Sequence, residues 1–243
     1  MERRANPSRS LVTLGPFLLV LCVTVWSALS PGLTWAGALK GTVRFVGPAL
    51  EARKVPVTTD QYVCGQDKDA EDLVVSRDRG IKNAVVWLQT APPGTKWEGP
   101  SPPIQTDQKQ CMFVPRVVVV AAGGTVEFLN NDRLLHNLRA AGSRENPAFN
   151  RTQPKGRTIP IVFKRPEIIR VDCDLHPWMR AWVVVAEHPF YALTNDQGEF
   201  TLANVPAGQY TLQVWQESLG TVARAVTVTD AAATTVTVEM APR

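Results

Sequence analysis

Short apolar or alternating segments, separated by Gly and Pro, dominate this chain. Val and Thr are frequent within them, and no apolar repeat with the 3.6-residue period of a helix extends over a useful length. The chain is therefore predicted to be all-β. The predicted strands lie at 39–46, 83–89, 117–120, 125–129, 158–163, 167–171 and 181–186.

Turn and breaker residues complete this pattern. Gly, Pro, Asn and Asp form three turn signals that predict hairpins between neighbouring strands. After the second turn, Phe200 and Leu202 are predicted to point inward. Segment 91–103, with five prolines and two glycines, and the polar segment 140–156 are predicted to lie outside the sheets. The three turn signals lie at 123–124, 195–198 and 206–208.

Residues 1–36 are typical of a secretory signal peptide. Three arginines within the first ten residues precede an almost wholly apolar run, 11–29, and Ala36 is a small residue suited to cleavage. Export would place the mature protein in the periplasm or outside the cell, with no stable membrane span after cleavage. An uncleaved anchor is the alternative, because the apolar run approaches the roughly 20 residues needed to span a bilayer.

Charge and size limit the classes of partner. Without residues 1–36 the chain has 207 residues, 23 Lys and Arg against 21 Asp and Glu, and a formal charge of +2. The basic side chains are scattered, and no Lys/Arg cluster is interleaved with aromatic residues, so no nucleic acid is expected as a partner. The length is enough for one large or two ordinary β domains.

The four cysteines have separate assignments. Cys22 falls within the signal peptide, and Cys173 belongs to the metal site described next. Cys64 and Cys111 remain, and because an exported protein meets an oxidising environment they are predicted to form a disulfide bond. Two unpaired thiols are the alternative.

A thiol, an imidazole and a thioether lie within seven residues, at Cys173, His176 and Met179. Soft sulfur suits Cu(I), imidazole suits both copper oxidation states, and Cys with two His and a weak axial Met is the ligand set of blue-copper electron-transfer sites. His136 is the predicted fourth ligand, because the chain contains only three histidines. Zinc, which has little use for Met, is one alternative, and side chains that never meet are the other.

The C-x-x-H-x-x-M spacing, followed by a Val-rich strand, resembles the copper loop of amicyanin, a member of the cupredoxin family. The site is otherwise similar to that of plastocyanin. The resemblance covers roughly residues 111–187. It implies a cupredoxin-like Greek-key β-sandwich over 104–187 that binds one type 1 copper ion.

This resemblance also implies a function, one-electron transfer. Asn137 is expected to hydrogen-bond the backbone beside the ligand cysteine and to lock the two ligand segments together. His176 is expected to reach the surface in an apolar patch beside Trp178, so that the two residues form the electron port. The expected partner is a redox protein such as a c-type cytochrome or a dehydrogenase.

A second resemblance lies in the carboxy-terminal section. Residues 193–212 are similar to the signature of carboxypeptidase regulatory-like domains, which are non-catalytic, prealbumin-like β-sandwiches. The first strands of such a domain are matched by 41–43 and 83–88, on the far side of the copper section. The resemblance therefore implies a discontinuous domain, 39–90 plus 188–243, into which the copper section is inserted. Three successive units are the alternative.

Other functions compete with electron transfer. Cupredoxin-like oxidases and nitrite reductases need further copper ions bound by additional histidines, and only His188 is left here, so the chain is not expected to be an enzyme. A copper-handling protein is one alternative. A non-redox extracellular binding or adhesion module of two β-sandwiches is another, and it accounts for the regulatory-like section but not for the predicted copper ligands.

Overall fold

The predicted β-rich character extends over the residues that the computed structural model describes. Strands make up 53% of the described residues and helix 2%, so the fold is all-β, as predicted. The predicted signal peptide, 1–36, lies outside the described residues. Within the described ranges, no helix has the length and apolar character that a membrane span needs. The described ranges are 37–51, 53–97, 102–143, 146–229 and 233–242.

Eighteen strands and one short helix occur in the described part of the chain. Helix α1 is Gln61–Cys64. The strands, in chain order, are β1 (Gly37–Phe45), β2 (Lys54–Pro56), β3 (Asp67–Asp69), β4 (Val85–Leu88), β5 (Ile104–Lys109), β6 (Met112–Val114), β7 (Val117–Ala121), β8 (Thr125–Asn130), β9 (His136–Ala140), β10 (Phe149–Gln153), β11 (Ile159–Val162), β12 (Glu167–Asp172), β13 (Arg180–Ala186), β14 (Tyr191–Leu193), β15 (Glu199–Val205), β16 (Gly208–Gln216), β17 (Gly220–Val228) and β18 (Thr234–Met240).

Strands β5 to β13 form the first sandwich. Its sheets have the orders β10-β9-β12-β13-β7 and β11-β8-β5-β6. In β8, Val126, Phe128 and Asn130 are buried, whereas the residues between them are partly exposed, as expected for a strand with one face on a core. Fully buried side chains of this core include those of Phe113, Phe128, Leu138, Phe163 and Met179.

Seven strands from both ends of the chain form the second sandwich. Its sheets have the orders β15-β1-β18 and β14-β4-β16-β17. β1 lies parallel to β18, with Val43 opposite Val238, and antiparallel to β15, with Gly41 opposite Phe200. A Cβ atom on Gly41 would lie 2.2 Å from the Val236 carbonyl oxygen, so this close approach of two strands requires glycine.

The pairing of these strands joins the two ends of the chain. Val43 and Val86 belong to one apolar core with Phe200 and Tyr210. Such pairing is what a discontinuous domain with an inserted section requires. The predicted division, 39–90 plus 188–243 with 104–187 between them, stays a prediction.

The three predicted hairpins are corners between sheets, so this part of the prediction is wrong. β7 pairs with β13 while β8 pairs with β5 and β11, and β14, β15 and β16 likewise change sheet at each turn. Turn residues determine that the chain reverses. Both flanking strands have a buried face on the shared core. The strand after each turn therefore packs across that core, in the opposite sheet, instead of pairing with the strand before the turn. Phe200 and Leu202 nevertheless point inward, as predicted, and both are buried.

In the first sandwich, β5 and β10 lie in polar sequence where no strand was predicted. β10 falls within 140–156 and pairs with β9 at the edge of its sheet, where three of its five side chains are exposed. Polar residues cost little at such an edge. β5 is also polar, yet Thr106 and Gln108 are buried within it. The described residues of 91–103 lie outside the strands, as predicted.

A junction of apolar and ionic contacts joins the two sandwiches. Trp182 of the first packs edge-on against Trp215 of the second, with ring centroids 5.1 Å apart. Arg116 donates from Nε and Nη2 to the two carboxylate oxygens of Glu217 at 2.6 and 2.9 Å, and both side chains are buried. Trp182 Nε1 donates to the same carboxylate at 2.9 Å. The buried carboxylate is thus paired and hydrogen-bonded, as a buried charge must be.

The segment between β1 and β4 reaches the first sandwich. Val57 is buried in the core of that sandwich, and α1 follows it. Cys64, the last residue of α1, forms a disulfide bond with Cys111, which confirms the predicted pairing. β2 and β3 pair with each other on either side of this helix. The disulfide therefore fixes α1 beside the start of β6.

Candidate metal centre

Three of the four predicted ligands meet at one end of the first sandwich. β9 and β12 are antiparallel neighbours, so His136 at the start of β9 lies close to Cys173 just after β12, and His176 follows in the loop to β13. Cys173 Sγ is 3.9 Å from His136 Nδ1 and 3.5 Å from His176 Nδ1. The two Nδ1 atoms are 2.8 Å apart. All three side chains are buried, so the donors form a closed cluster.

Met179, the predicted axial ligand, closes the donor loop, as we call residues 173–179. Its backbone N–H donates to His176 O at 2.8 Å, and its carbonyl accepts from Cys173 N at 3.2 Å. These bonds draw the loop into a tight turn between the paired strands β12 and β13. The Met179 side chain is fully buried in the core of the first sandwich, and its role as a ligand stays a prediction.

A carboxylate holds the far nitrogen of each imidazole. His136 Nε2 lies 2.9 Å from Asp132 Oδ2, and His176 Nε2 lies 3.1 Å from Asp60 Oδ2. An ionised carboxylate only accepts, so each Nε2 donates to its carboxylate. Each Nδ1 faces the cluster and offers a lone pair to a metal ion when its imidazole is neutral. Carboxylate partners of this kind orient metal-binding histidines and raise their basicity.

Backbone amides fix Asp132 in turn. Its carboxylate accepts from Gln110 N at 2.6 Å and from Cys111 N at 2.8 Å, in addition to its contact with His136. Burial raises the pKa of Asp132, but the hydrogen bonds from His136 and the two amides outweigh burial and hold the pKa below its ordinary value. The ionised carboxylate therefore connects the disulfide-bonded Cys111 to the predicted ligand His136.

The cluster stabilises a thiolate. Burial raises the pKa of the Cys173 thiol, but hydrogen bonds from the two histidines outweigh burial and lower the pKa to about 6. Burial likewise lowers the pKa of His136, and its hydrogen bonds to Asp132 and Cys173 outweigh this effect and raise the pKa to about 8. The thiolate is the form of cysteine that binds metals.

Asn137 ties the two ligand segments together. Its Oδ1 accepts from Asp174 N at 2.6 Å, which is the expected hydrogen bond to the backbone beside the cysteine. Its Nδ2 donates to Asp174 Oδ2 at 3.1 Å and to Asn150 Oδ1 at 2.8 Å. Its backbone N–H points to Cys173 Sγ at 3.5 Å. β9 and the donor loop are thereby held in one register around the sulfur.

The expected surface position of His176 is wrong. Its side chain is 0% exposed, because Asp60, brought there by the Cys64–Cys111 disulfide, covers the Nε2 edge. Trp178 is half-buried beside it, with ring centroids 5.3 Å apart and Nε1 donating to Cys111 O at 3.0 Å. The imidazole itself therefore does not reach solvent, and a port role for Trp178 stays a prediction.

Asp60 and Asp132, the two carboxylates that contact the imidazoles, were not among the predicted site residues. Asp132 carried a signal, because it ends an Asn-Asn-Asp run four residues before His136. Asp60 lies 116 positions from His176 along the chain. Its only link in sequence is the predicted disulfide, since Cys64 lies four residues further on.

The donor set fits a soft or borderline metal ion. One thiolate and two imidazoles within 4.8 Å of one another suit copper or zinc, and a buried Met in the same loop favours copper. Cys111, Asp132 and His136 lie equally close together, but Cys111 is held in the disulfide. His188 belongs to neither group, and its Nε2 donates to the carbonyl oxygen of Leu88.

Sequence comparison supports the second resemblance. The family model of the carboxypeptidase regulatory-like domain matches residues 174–241, so this part of the chain is similar to that family. The match begins inside the donor loop, whereas β13 belongs to the first sandwich through its pairing with β7. The comparison with curated proteins gives no match.

Structure comparison gives partial similarities. A Cu-containing nitrite reductase from Thermus scotoductus SA-01 is 25% identical over 41% of this chain and 25% of its own, with a TM-score of 0.33. A purple cupredoxin from Nitrosopumilus maritimus is 21% identical over 34% of this chain and 99% of its own, with a TM-score of 0.30. A reduced amicyanin mutant is 23% identical over 42% of this chain and 98% of its own, with a TM-score of 0.33. TM-scores this low carry no functional conclusion, and the function proposed below rests on the geometry of the donor atoms.

Proposed function

We propose that this protein is an exported type 1 copper protein that carries one electron. His136 Nδ1, Cys173 Sγ and His176 Nδ1 would bind the ion, with Met179 as the fourth, weaker ligand. The observation that carries the proposal is the convergence of three buried donor atoms within 4.8 Å of one another, one of them a thiol with a pKa of about 6.

The chain supplies a rigid set of ligands. Copper held by these residues would supply one-electron chemistry between Cu(I) and Cu(II). The paired strands β9, β12 and β13 hold the donors, and the carboxylates and Asn137 fix their orientation. Burial excludes water from the cluster. Because the carboxylates and Asn137 hold the donors from outside the cluster, little rearrangement would accompany a change of charge at a bound ion.

Addition of Cu(II) to the purified protein tests the proposal. One equivalent should produce an intense visible band from charge transfer between the thiolate and copper. Cys173→Ser should abolish this band, because a hydroxyl cannot supply the sulfur donor. His188→Gln is the matched control, since it removes the one histidine outside the cluster and should leave the band intact. A colourless wild-type protein that takes up zinc in preference would contradict the proposal.

A redox protein in the same exported compartment is the partner that this function requires. A c-type cytochrome or a dehydrogenase is the class we propose. Trp178 packs on His176 and is only half-buried, so it offers a route from the cluster to the surface. Trp178→Glu should leave the copper spectrum almost unchanged and slow electron exchange with a cytochrome. Loss of the spectrum would instead assign Trp178 to holding the donor loop.

Copper handling is the second candidate function. The burial of His176 favours it. An enclosed ligand helps to retain the ion, whereas rapid electron exchange needs a ligand edge that a redox partner can approach. A competition experiment separates the two roles. The rate of Cu(I) transfer to a soluble chelator is compared with the rate of electron exchange with a cytochrome. Faster copper transfer would favour handling, and faster electron exchange would favour electron transfer.

A further inference from the structure

Asp60 stands between one imidazole of the cluster and solvent. Its Oδ2 lies 3.1 Å from His176 Nε2, and the His176 side chain is 0% exposed while that of Asp60 is 34% exposed. The carboxylate is therefore the outer boundary of the site at this edge. The equivalent partner of the other imidazole, Asp132, is buried inside the first sandwich.

The chain around Asp60 is anchored on both sides. Val57 is 1% exposed in the core of the first sandwich, and Cys64 is bonded to Cys111. Between these anchors, the N–H groups of Val63 and Cys64 donate to the Asp60 carbonyl at 3.0 and 2.9 Å. We call residues 57–66 the cap segment. Its position is thus fixed independently of the contact with His176.

The backbone of Asp60 is in a conformation that restricts its replacements. Its φ is 51°, in the left-handed region, which Asp and Asn adopt more readily than other residues with a Cβ atom. Gln61 Nε2 donates to the Val57 carbonyl at 2.7 Å and braces the same turn. The cap segment therefore presents the carboxylate to the imidazole in one fixed geometry.

We propose that Asp60 is a positioning residue that closes the outer edge of the metal centre and fixes His176 with Nδ1 toward the cluster. The inference rests on the proposed function only in naming His176 as a ligand. One ligand is oriented by the sandwich that carries it and the other by a segment from outside that sandwich. Access to the cluster is thus set by the cap segment.

Chemical modification of the metal-free protein tests the closure. Diethyl pyrocarbonate reacts with accessible imidazoles, and peptide mass analysis reports the rate at each histidine. His176 should react slowly in the wild type and at least tenfold faster in Asp60→Ala. Asp60→Asn keeps an acceptor oxygen and the φ preference, so it should restore slow reaction. Asp67→Ala, at an exposed carboxylate that pairs with Lys54, is the matched control and should also react slowly.

Every result of this experiment bears on the inference. Equal rates in wild type and Asp60→Ala, whether slow or fast, would overturn it. A rate in Asp67→Ala as high as in Asp60→Ala would also overturn it, since general loosening of the segment would then be the cause. The disulfide of each variant is verified by mass before labelling. Because no copper is needed, the labelling result is independent of whether the proposed function holds.

A second readout addresses the positioning role in the copper-loaded protein. A carboxylate bonded to an imidazole makes it a stronger donor and favours the more highly charged ion. Asp60→Ala should therefore retain the visible band and have a higher reduction potential than the wild type, while Asp67→Ala should match the wild type. An unchanged reduction potential in Asp60→Ala would overturn the positioning role and would show that Asp60 only covers His176.

Discussion

The two sandwiches share an architecture and differ in what they bury. Each packs two sheets around one apolar core. The first also buries donors and carboxylates at one end. In the second, among the described residues, the buried polar residues are Thr194, Gln216 and His188, each with a hydrogen-bond partner in the backbone, besides the buried Glu217 side chain at the junction. Similar scaffolds therefore carry a candidate reaction centre in one case and an apolar core alone in the other.

This difference shows what a buried polar site demands of its scaffold. A buried polar group costs free energy unless it is hydrogen-bonded. Both imidazoles, the thiol and Asp132 have partners at fixed distances. Several of these partners lie outside the donor loop. They are the backbone N–H groups of Asn137 and Gln110, and Asp60 in the cap segment. The site therefore depends on contacts from outside the donor loop that carries two of its donors.

The largest effect is expected at the junction, where the two sandwiches depend on each other. Glu217→Ala leaves the buried Arg116 charge unpaired and Trp182 Nε1 without its acceptor. Removing one partner of a buried ion pair costs about 3 to 5 kcal/mol. Urea unfolding followed by tryptophan fluorescence measures this loss. Glu187→Ala, at an exposed carboxylate, is the control and should change stability by less than about 0.5 kcal/mol.

The junction result also decides how the sandwiches unfold. A single transition that moves to lower urea in Glu217→Ala means that they unfold together. Two transitions, with only one of them shifted, would show that the sandwiches are independent and that the ion pair is a local feature. A loss below about 1 kcal/mol would mean that the pair is better hydrated than its burial indicates.

Removal of the disulfide is expected to have a similar effect confined to the first sandwich. Cys64 and Cys111 are 47 residues apart, and closing a loop of that length stabilises a fold by about 4 kcal/mol on the chain-entropy model. Cys64→Ala combined with Cys111→Ala should lower the unfolding free energy by that amount and expose His176 to modification. Retained stability with His176 still protected would show that Val57 alone holds the cap segment.

A matched pair of core substitutions separates stability from chemistry. Leu138 and Leu212 are both 0% exposed, in the first and second sandwich respectively. Each Leu→Ala change should cost about 3 kcal/mol, from lost burial and the cavity left behind. Leu138→Ala should also weaken copper uptake, since β9 carries His136, whereas Leu212→Ala should not. Equal loss of copper uptake in both would contradict the division of roles between the sandwiches.

Sequence reasoning recovered the features that depend on local spacing. Cys173 and His176 are close in sequence, so one loop brings their side chains together, and the scarcity of histidine singled out His136, whereas the ligand role of Met179 stays a prediction. The Cys64–Cys111 bond followed from the chemistry of the remaining thiols. The strand pattern was recovered in several strands that bury apolar residues, such as β8 and β13.

The features that depend on tertiary placement were not recoverable. Asp60 has no local pattern, because its partner is brought to it by a disulfide and by packing of Val57. The corner turns look like hairpin turns, since the same residues reverse the chain in both. The exposure of His176 was misjudged because the covering segment lies far away in sequence. Each error reflects a contact that only the folded chain determines.

The smallest effect is expected from Trp178→Phe, which tests the link between the donor loop and the disulfide. Phe keeps a ring against His176 but loses the N–H that donates to Cys111 O at 3.0 Å. Loss of one neutral hydrogen bond costs about 1 kcal/mol. The matched change at the junction, Trp182→Phe, removes a bond to the Glu217 carboxylate and should cost about 2 kcal/mol, since bonds to charged groups are stronger. Urea unfolding of both variants gives the order. If Trp178→Phe were the more destabilising of the two, the indole would be an anchor of the donor loop, and the first sandwich would depend on it more than on its junction with the second.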